Sequence, residues 1–134
     1  MIEGAAGESA TTAQITEADM AVYRATARRR KAQEGQALAR RRERAWALAQ
    51  QAAGLLREQF GATRVKVYGS LVRQAVFTPW SDVDIAAWDI RPEDTWRAIG
   101  AVLDLDDEIQ VNLVDVRMAR ASLLAVIEQE GVEL

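Results

Sequence analysis

Two short stretches of this sequence hold residue types that can do chemistry together. Gly69 and Ser70 follow a Val-rich run, and Asp82 and Asp84 bracket Val83 at the start of another. Strand side chains alternate, so aspartates two positions apart point to the same side. Their like charges repel, and a divalent cation removes the repulsion. Mg²⁺ takes hard oxygen ligands, commonly one or two carboxylates plus the phosphate oxygens of a substrate. Gly69 lets the backbone approach a phosphate closely. Ser70 offers a hydroxyl, and the amides opening the next short helix form an anion site. Arg73, one turn further on, brings a positive charge to phosphate. The set describes a nucleoside triphosphate held with Mg²⁺ for nucleotidyl transfer. Alone, an Asp-x-Asp is a common solvated strand end and a Gly-Ser a common turn. The order strand, Gly-Ser, short helix, loop, Asp-x-Asp, strand is what carries the reading.

Composition narrows the alternatives. The chain has 134 residues, the length of one domain, with 49% hydrophobic and 28% charged residues, a globular balance. It contains no Cys and no His, which removes thiolate zinc sites, cysteine nucleophiles, imidazole ligands and Ser-His-Asp catalysis. No apolar run approaches the ~20 residues of a membrane span. The N-terminus shows no basic-then-apolar leader, so a cytoplasmic protein without membrane partners is expected. The net charge of −3 hides a split: residues 1–60 carry ten basic and seven acidic side chains, residues 61–134 seven and thirteen. Between Arg24 and Arg44, nine basic residues face only Glu34 and Glu43. Direct nucleic-acid binding is not expected there, because no aromatic side chains interleave with these arginines. A solvated helix face or a protein partner fits better.

The elements that must position the site read as follows. Residues 1–14 form a Gly/Ala/Ser/Thr-rich flexible tail, and residues 15–44 a basic helical extension. Thr16 caps a helix whose first turn holds Glu17 and Asp19. Ala, Arg, Gln, Glu and Leu then continue to Phe60, all strong helix formers. Gly35 is expected to break this run into helices near 16–33 and 36–59. The second carries an apolar stripe, Leu38, Ala45, Trp46, Ala49, Ala52, Ala53, Leu56 and Phe60, closed by Gly61. Strands follow at 64–68, 83–88 and 109–114, the mostly apolar second one being central. Helices are expected from Pro92 to about Leu103 and from Met118 to Glu130. The outcome is an α/β (α+β) fold with a small mixed sheet and packed helices.

The run Tyr68-Gly69-Ser70-Leu71-Val72-Arg73-Gln74, with Trp80-Ser81-Asp82-Val83-Asp84-Ile85, resembles the minimal nucleotidyltransferases of the DNA polymerase beta superfamily. Val111-Asn112-Leu113-Val114-Asp115 and Ile127-Glu128-Gln129-Glu130-Gly131-Val132 look like the same family. The resemblance covers residues 45–134, the nucleotidyltransferase domain, and implies its palm-like sheet. It further implies ATP as nucleotide donor, Mg²⁺ or Mn²⁺ as metal, and an antitoxin that adenylylates a hydroxyl of a HEPN-type toxin. Carried over residue by residue, Asp82 and Asp84 are the metal ligands, and Gly69, Ser70 and Arg73 hold the nucleotide.

The family's third acid stands at position 112, where this chain has Asn. An amide oxygen can still ligate Mg²⁺, but it brings no charge and cannot act as a general base, a loss worth on the order of 10²–10⁴-fold in rate. Asp115 lies three residues on, facing away in a regular strand, and reads as a helix cap or turn residue. Gln74, where relatives often have Gly, narrows the room for a nucleotide. The acids Asp104, Asp106, Asp107 and Glu108 lack calcium-loop spacing and read as a solvated connection. Trp46, Trp88 and Trp96 read as core or interface, and Trp80 as the indole nearest a bound base. Two functions compete: a transferase with Asn112 as weak third ligand, or a weakened member of the fold that neutralises its partner by contact. Transfer to a small molecule ranks last, because such relatives carry an added substrate domain.

Overall fold

The computed structural model describes residues 14–134, so the expected tail falls outside the described residues except for Gln14. The chain divides into two compact units, the second being Leu38–Leu134. Its start lies inside the stretch expected to be a helical extension.

The first element, α1 (Glu17–Phe60), is one unbroken helix of 44 residues. The break expected at Gly35 is absent. A glycine in a helix interior costs about 1 kcal/mol relative to Ala, too little to interrupt a run of strong formers on both sides. The helix opens with a reciprocal cap: the Asp19 N–H donates to Thr16 Oγ1 (3.1 Å), and the Thr16 N–H donates to Asp19 Oδ2 (3.0 Å). In the first unit, residues 17–37 are exposed apart from Ala25.

In the second unit, Ala45, Leu48, Ala49, Ala52, Ala53, Leu56 and Phe60 of α1 are buried, close to the stripe read from the sequence. The remaining elements are β1 (Arg64–Tyr68), β2 (Val83–Trp88), α2 (Thr95–Leu103), β3 (Val111–Asp115), α3 (Ala121–Glu130) and β4 (Val132–Glu133). Single 3₁₀ turns lie at Gly69–Leu71, Gln74–Val76, Pro92–Asp94 and Val116–Met118. The sheet order is β3-β2-β1-β4, with β2 and β3 parallel and the other pairs antiparallel. The mixed α+β class expected from the sequence is therefore present, and β2 is central. β4 is an addition: Val132 pairs with Val67 and Glu133 with Lys66. A two-residue strand has too little periodicity to be read from sequence.

The two sheet faces have different tasks. Val65, Val67, Val83, Ile85, Ala87, Val111 and Leu113 join the α1 stripe and Ala98 and Val102 of α2 in the main core. On the other face, Ala86 packs with Ile127, Leu123, Leu124, Tyr68 and Trp88. That face also carries Lys66, only 6% exposed. Its Nζ donates to the Glu128 carbonyl near the end of α3 (3.2 Å), a favourable place for a cation. Arg64 stacks over Trp88 at 4.4 Å and pairs with Glu128 (2.9 Å) and Glu133 (2.6 Å), tying α3 and β4 to β1. Gly131 closes α3 through a bond from its N–H to the Ile127 carbonyl (2.9 Å), and a Cβ at Gly131 would collide with that carbonyl.

Candidate active site

The second sheet face holds the candidate site. Register aligns Tyr68 with Asp84 and Asp84 with Asn112, so three adjacent strands place these side chains in a row. Asp82 extends the β2 alternation one step beyond the strand. The Asn112 amide nitrogen donates to Asp82 Oδ2 and to Asp84 Oδ1, each at 3.4 Å. Its oxygen accepts from Gln110 Nε2 at 2.7 Å. The amide thus sits between the two carboxylates and offers both a partial positive charge.

The Gly-Ser turn reaches the same point. Gly69 has φ +78°, the left-handed region that favours glycine, and a Cβ there would stand 2.7 Å from Asp84 Oδ2. Gly69 therefore packs directly on the Asp84 carboxylate. Gly69, Ser70, Asp82, Asp84 and Asn112 are all half-buried. Burial raises the Asp84 pKa above the ordinary carboxylate value; the Asn112 bond opposes this and the neighbouring Asp82 charge adds to it. Burial, with help from Asp84, pushes the Tyr68 phenol up to about 12. Tyr68 was not among the residues expected at the site, and its only sequence signal is its place before Gly69.

The Arg73 guanidinium pairs with Glu130 at the end of α3. Asp115 lies on the opposite face from Asn112, as its spacing requires. It is 2% exposed and caps the Val116–Met118 turn by accepting the Arg117 N–H (3.1 Å). It also accepts from Thr95 Oγ1 (2.8 Å) and Arg117 Nη2 (2.7 Å). Burial opposes its ionisation, but the Arg117 and Thr95 bonds outweigh burial and hold its pKa below the ordinary value.

Beside Asp82 opens a cleft of about 450 Å³ bounded by Arg41, Trp80, Asp106, Asp107, Glu108 and Gln110. Trp80 is 85% exposed at its rim. In the acidic connection Asp104, Asp107 and Glu108 are exposed as expected, while Asp106 is half-buried, accepts the N–H groups of Glu108 (3.1 Å) and Ile109 (2.8 Å) and pairs with Arg44. The basic run is exposed, as expected of a solvated face, except at Arg41 and Arg42. Arg41 Nη2 donates to the Ser81 carbonyl and Arg42 Nη2 to the Leu71 carbonyl, each at 3.1 Å.

The two carboxylates on one face fit a hard divalent cation, while the Asn112 amide presents its nitrogen to them and its oxygen to Gln110. Among the described residues no group of three or more Asp, Glu, His or Cys side chains is gathered for a metal. No helix among them is long and apolar enough to cross a membrane.

A four-stranded mixed sheet flanked by helices, with a Gly-Ser turn set against an Asp-x-Asp strand, is consistent with a nucleotidyltransferase-like fold. Among solved structures, the chain is similar to a chain in the crystal structure of a mutant MntA–HpeT toxin–antitoxin complex, with a TM-score of 0.52 and 25% identity over 63% of this chain and 69% of that one. No protein-family model and no curated protein matches it.

Proposed function

We propose that this chain is a nucleotidyltransferase that acts as the antitoxin of a toxin–antitoxin pair, moving AMP from ATP to a hydroxyl of a HEPN-type partner. The observation that carries the reading is the approach of Gly69 to Asp84, which joins the phosphate-binding turn and the carboxylate pair in one place. The similarity to a toxin–antitoxin structure supports the biological setting.

In this reading Asp82 and Asp84 hold Mg²⁺ or Mn²⁺, with the Asn112 oxygen as a weak third ligand. The cation supplies charge that offsets the phosphates and the leaving pyrophosphate. Gly69 and Ser70 seat the triphosphate, so that the acceptor oxygen faces the α-phosphorus opposite the leaving group. The acceptor oxygen bonds to the α-phosphorus, the bond from that phosphorus to the bridging oxygen breaks, and pyrophosphate leaves with the electron pair. Asn112 cannot take the acceptor proton, which passes to water. That step sets a low rate.

One observation favours a second reading, neutralisation by contact. The Asn112 amide already bonds both carboxylates and relieves part of their repulsion without a cation. The Asn112→Asp variant separates the two. Under the transferase reading it raises AMP transfer to the co-purified partner, measured by intact mass, by ~10²-fold, as expected for a restored base. If transfer is absent in both forms while the partner stays neutralised, the contact reading holds.

A further inference from the structure

The nucleotidyl-transfer reading leaves two arginines that contact the site's loops unused. Arg41 and Arg42 are consecutive on α1, so their side chains leave the helix about 100° apart. From one turn of a rigid helix they reach two separate loops. Arg42 Nη2 meets the carbonyl of Leu71, the last residue of the Gly69–Leu71 turn. Arg41 Nη2 meets the carbonyl of Ser81, the residue before Asp82. Leu71 is itself fully buried, so the turn is gripped from both its side chain and its backbone.

The Nε atoms of both arginines are buried without a hydrogen-bond partner. A buried unpaired donor on a cation is destabilising, and an apolar side chain could fill the same space without that penalty. What an apolar side chain could not do is bond the two carbonyls. Arg42 also lies over the Trp46 ring, 6.0 Å from its centroid. Arg42 thus contacts the turn read as taking the triphosphate, and Arg41 the residue before the strand read as taking the metal.

We infer that Arg41 and Arg42 are positioning residues that hold the two halves of the site in register, Arg42 through the phosphate turn and Arg41 through the strand entry at Asp82. This rests on the transferase reading of that site. It predicts a division of labour that general stabilisation would not produce. Arg42 should govern nucleotide binding, and Arg41 metal binding.

The test uses the full chain with Arg41→Met and Arg42→Met, which keep an apolar stem and remove the donor. Binding of ATP in excess Mg²⁺ and binding of Mn²⁺ alone are measured with amide hydrogen exchange across residues 69–82. Arg42→Met is expected to weaken ATP binding about tenfold, with Mn²⁺ binding changed less, and Arg41→Met to weaken Mn²⁺ binding about tenfold, with ATP binding changed less. Exchange should quicken at 69–72 in the first variant and at 78–82 in the second. Arg42→Lys, which keeps charge and a donor, should recover part of the ATP affinity. Equal losses of both ligands in both variants, or no change in either, would overturn the inference. If the unaltered chain binds neither ATP nor Mn²⁺, the transferase reading fails. The exchange pattern then decides the clamp alone: quickening confined to the gripped loop supports it, and uniform or absent quickening contradicts it.

Discussion

Asp84 sits half-buried beside a second carboxylate, a place where a negative charge is disfavoured unless a cation joins it. The folded-state pKa is raised above the unfolded value by burial first and Asp82 second. The ionised group is therefore destabilising at neutral pH, and stability returns as pH falls through the raised pKa. Asp84→Asn is expected to melt at a higher temperature than the parent at pH 7, with the gap closing on acidification, while losing AMP transfer altogether. Thermal unfolding across pH checks the sign. Asp115 behaves in the opposite way. Its pKa is lowered, so its contribution is present above the unfolded carboxylate value and fades as pH falls through the folded one. Asp115→Asn breaks a buried network with Arg117 and Thr95 and should lower stability by about 2 kcal/mol, measured by urea unfolding. If Asp115 served as the missing third acid, transfer would fall in the folded variant as well. Its place on the opposite sheet face predicts that transfer per folded molecule is unchanged. Gly69→Ala combines a left-handed φ with a displaced Asp84 carboxylate. It should lose about 1–2 kcal/mol and weaken metal binding.

At the scale of elements, β1 and β2 were legible to the residue because each is a short β-branched or apolar run bounded by turn residues. The Asp-x-Asp face followed from alternation alone, and so did the outward direction of Asp115 from the Asn112 side. What the chain order could not reveal was contact between segments far apart in sequence. Arg41 and Arg42 look like any solvated basic run until their partners, the carbonyls of Ser81 and Leu71, are known. The pairing of Arg73 with Glu130, 57 residues on, is likewise invisible in the sequence. Gly35 was read as a break because glycine is a weak helix former, but length and neighbours carry the helix through it. Nothing lies within 4 Å of a Cβ built at Gly35 or Gly54. Gly54→Ala should therefore stabilise the second unit by about 1 kcal/mol, read from chemical denaturation.

At the scale of the whole molecule, the buried core draws all its residues from Ala45 onward. The helical residues before Leu38 are exposed except Ala25. A chain beginning at Leu38 should therefore fold, with an unchanged thermal unfolding temperature by circular dichroism; a collapse in that temperature would mean the earlier residues support the core. The proposed site, built from the turn at Gly69 and the strand end at Asp82 and Asp84, is read as transferring a nucleotidyl group to a partner protein. Its most direct test is the intact mass of the co-purified partner after incubation with Mg²⁺ and ATP, for the unaltered chain and for the Asp82→Asn/Asp84→Asn double variant. A partner heavier by one or more AMP groups is expected with the unaltered chain, and no gain with the variant. Equal gain with both would contradict it.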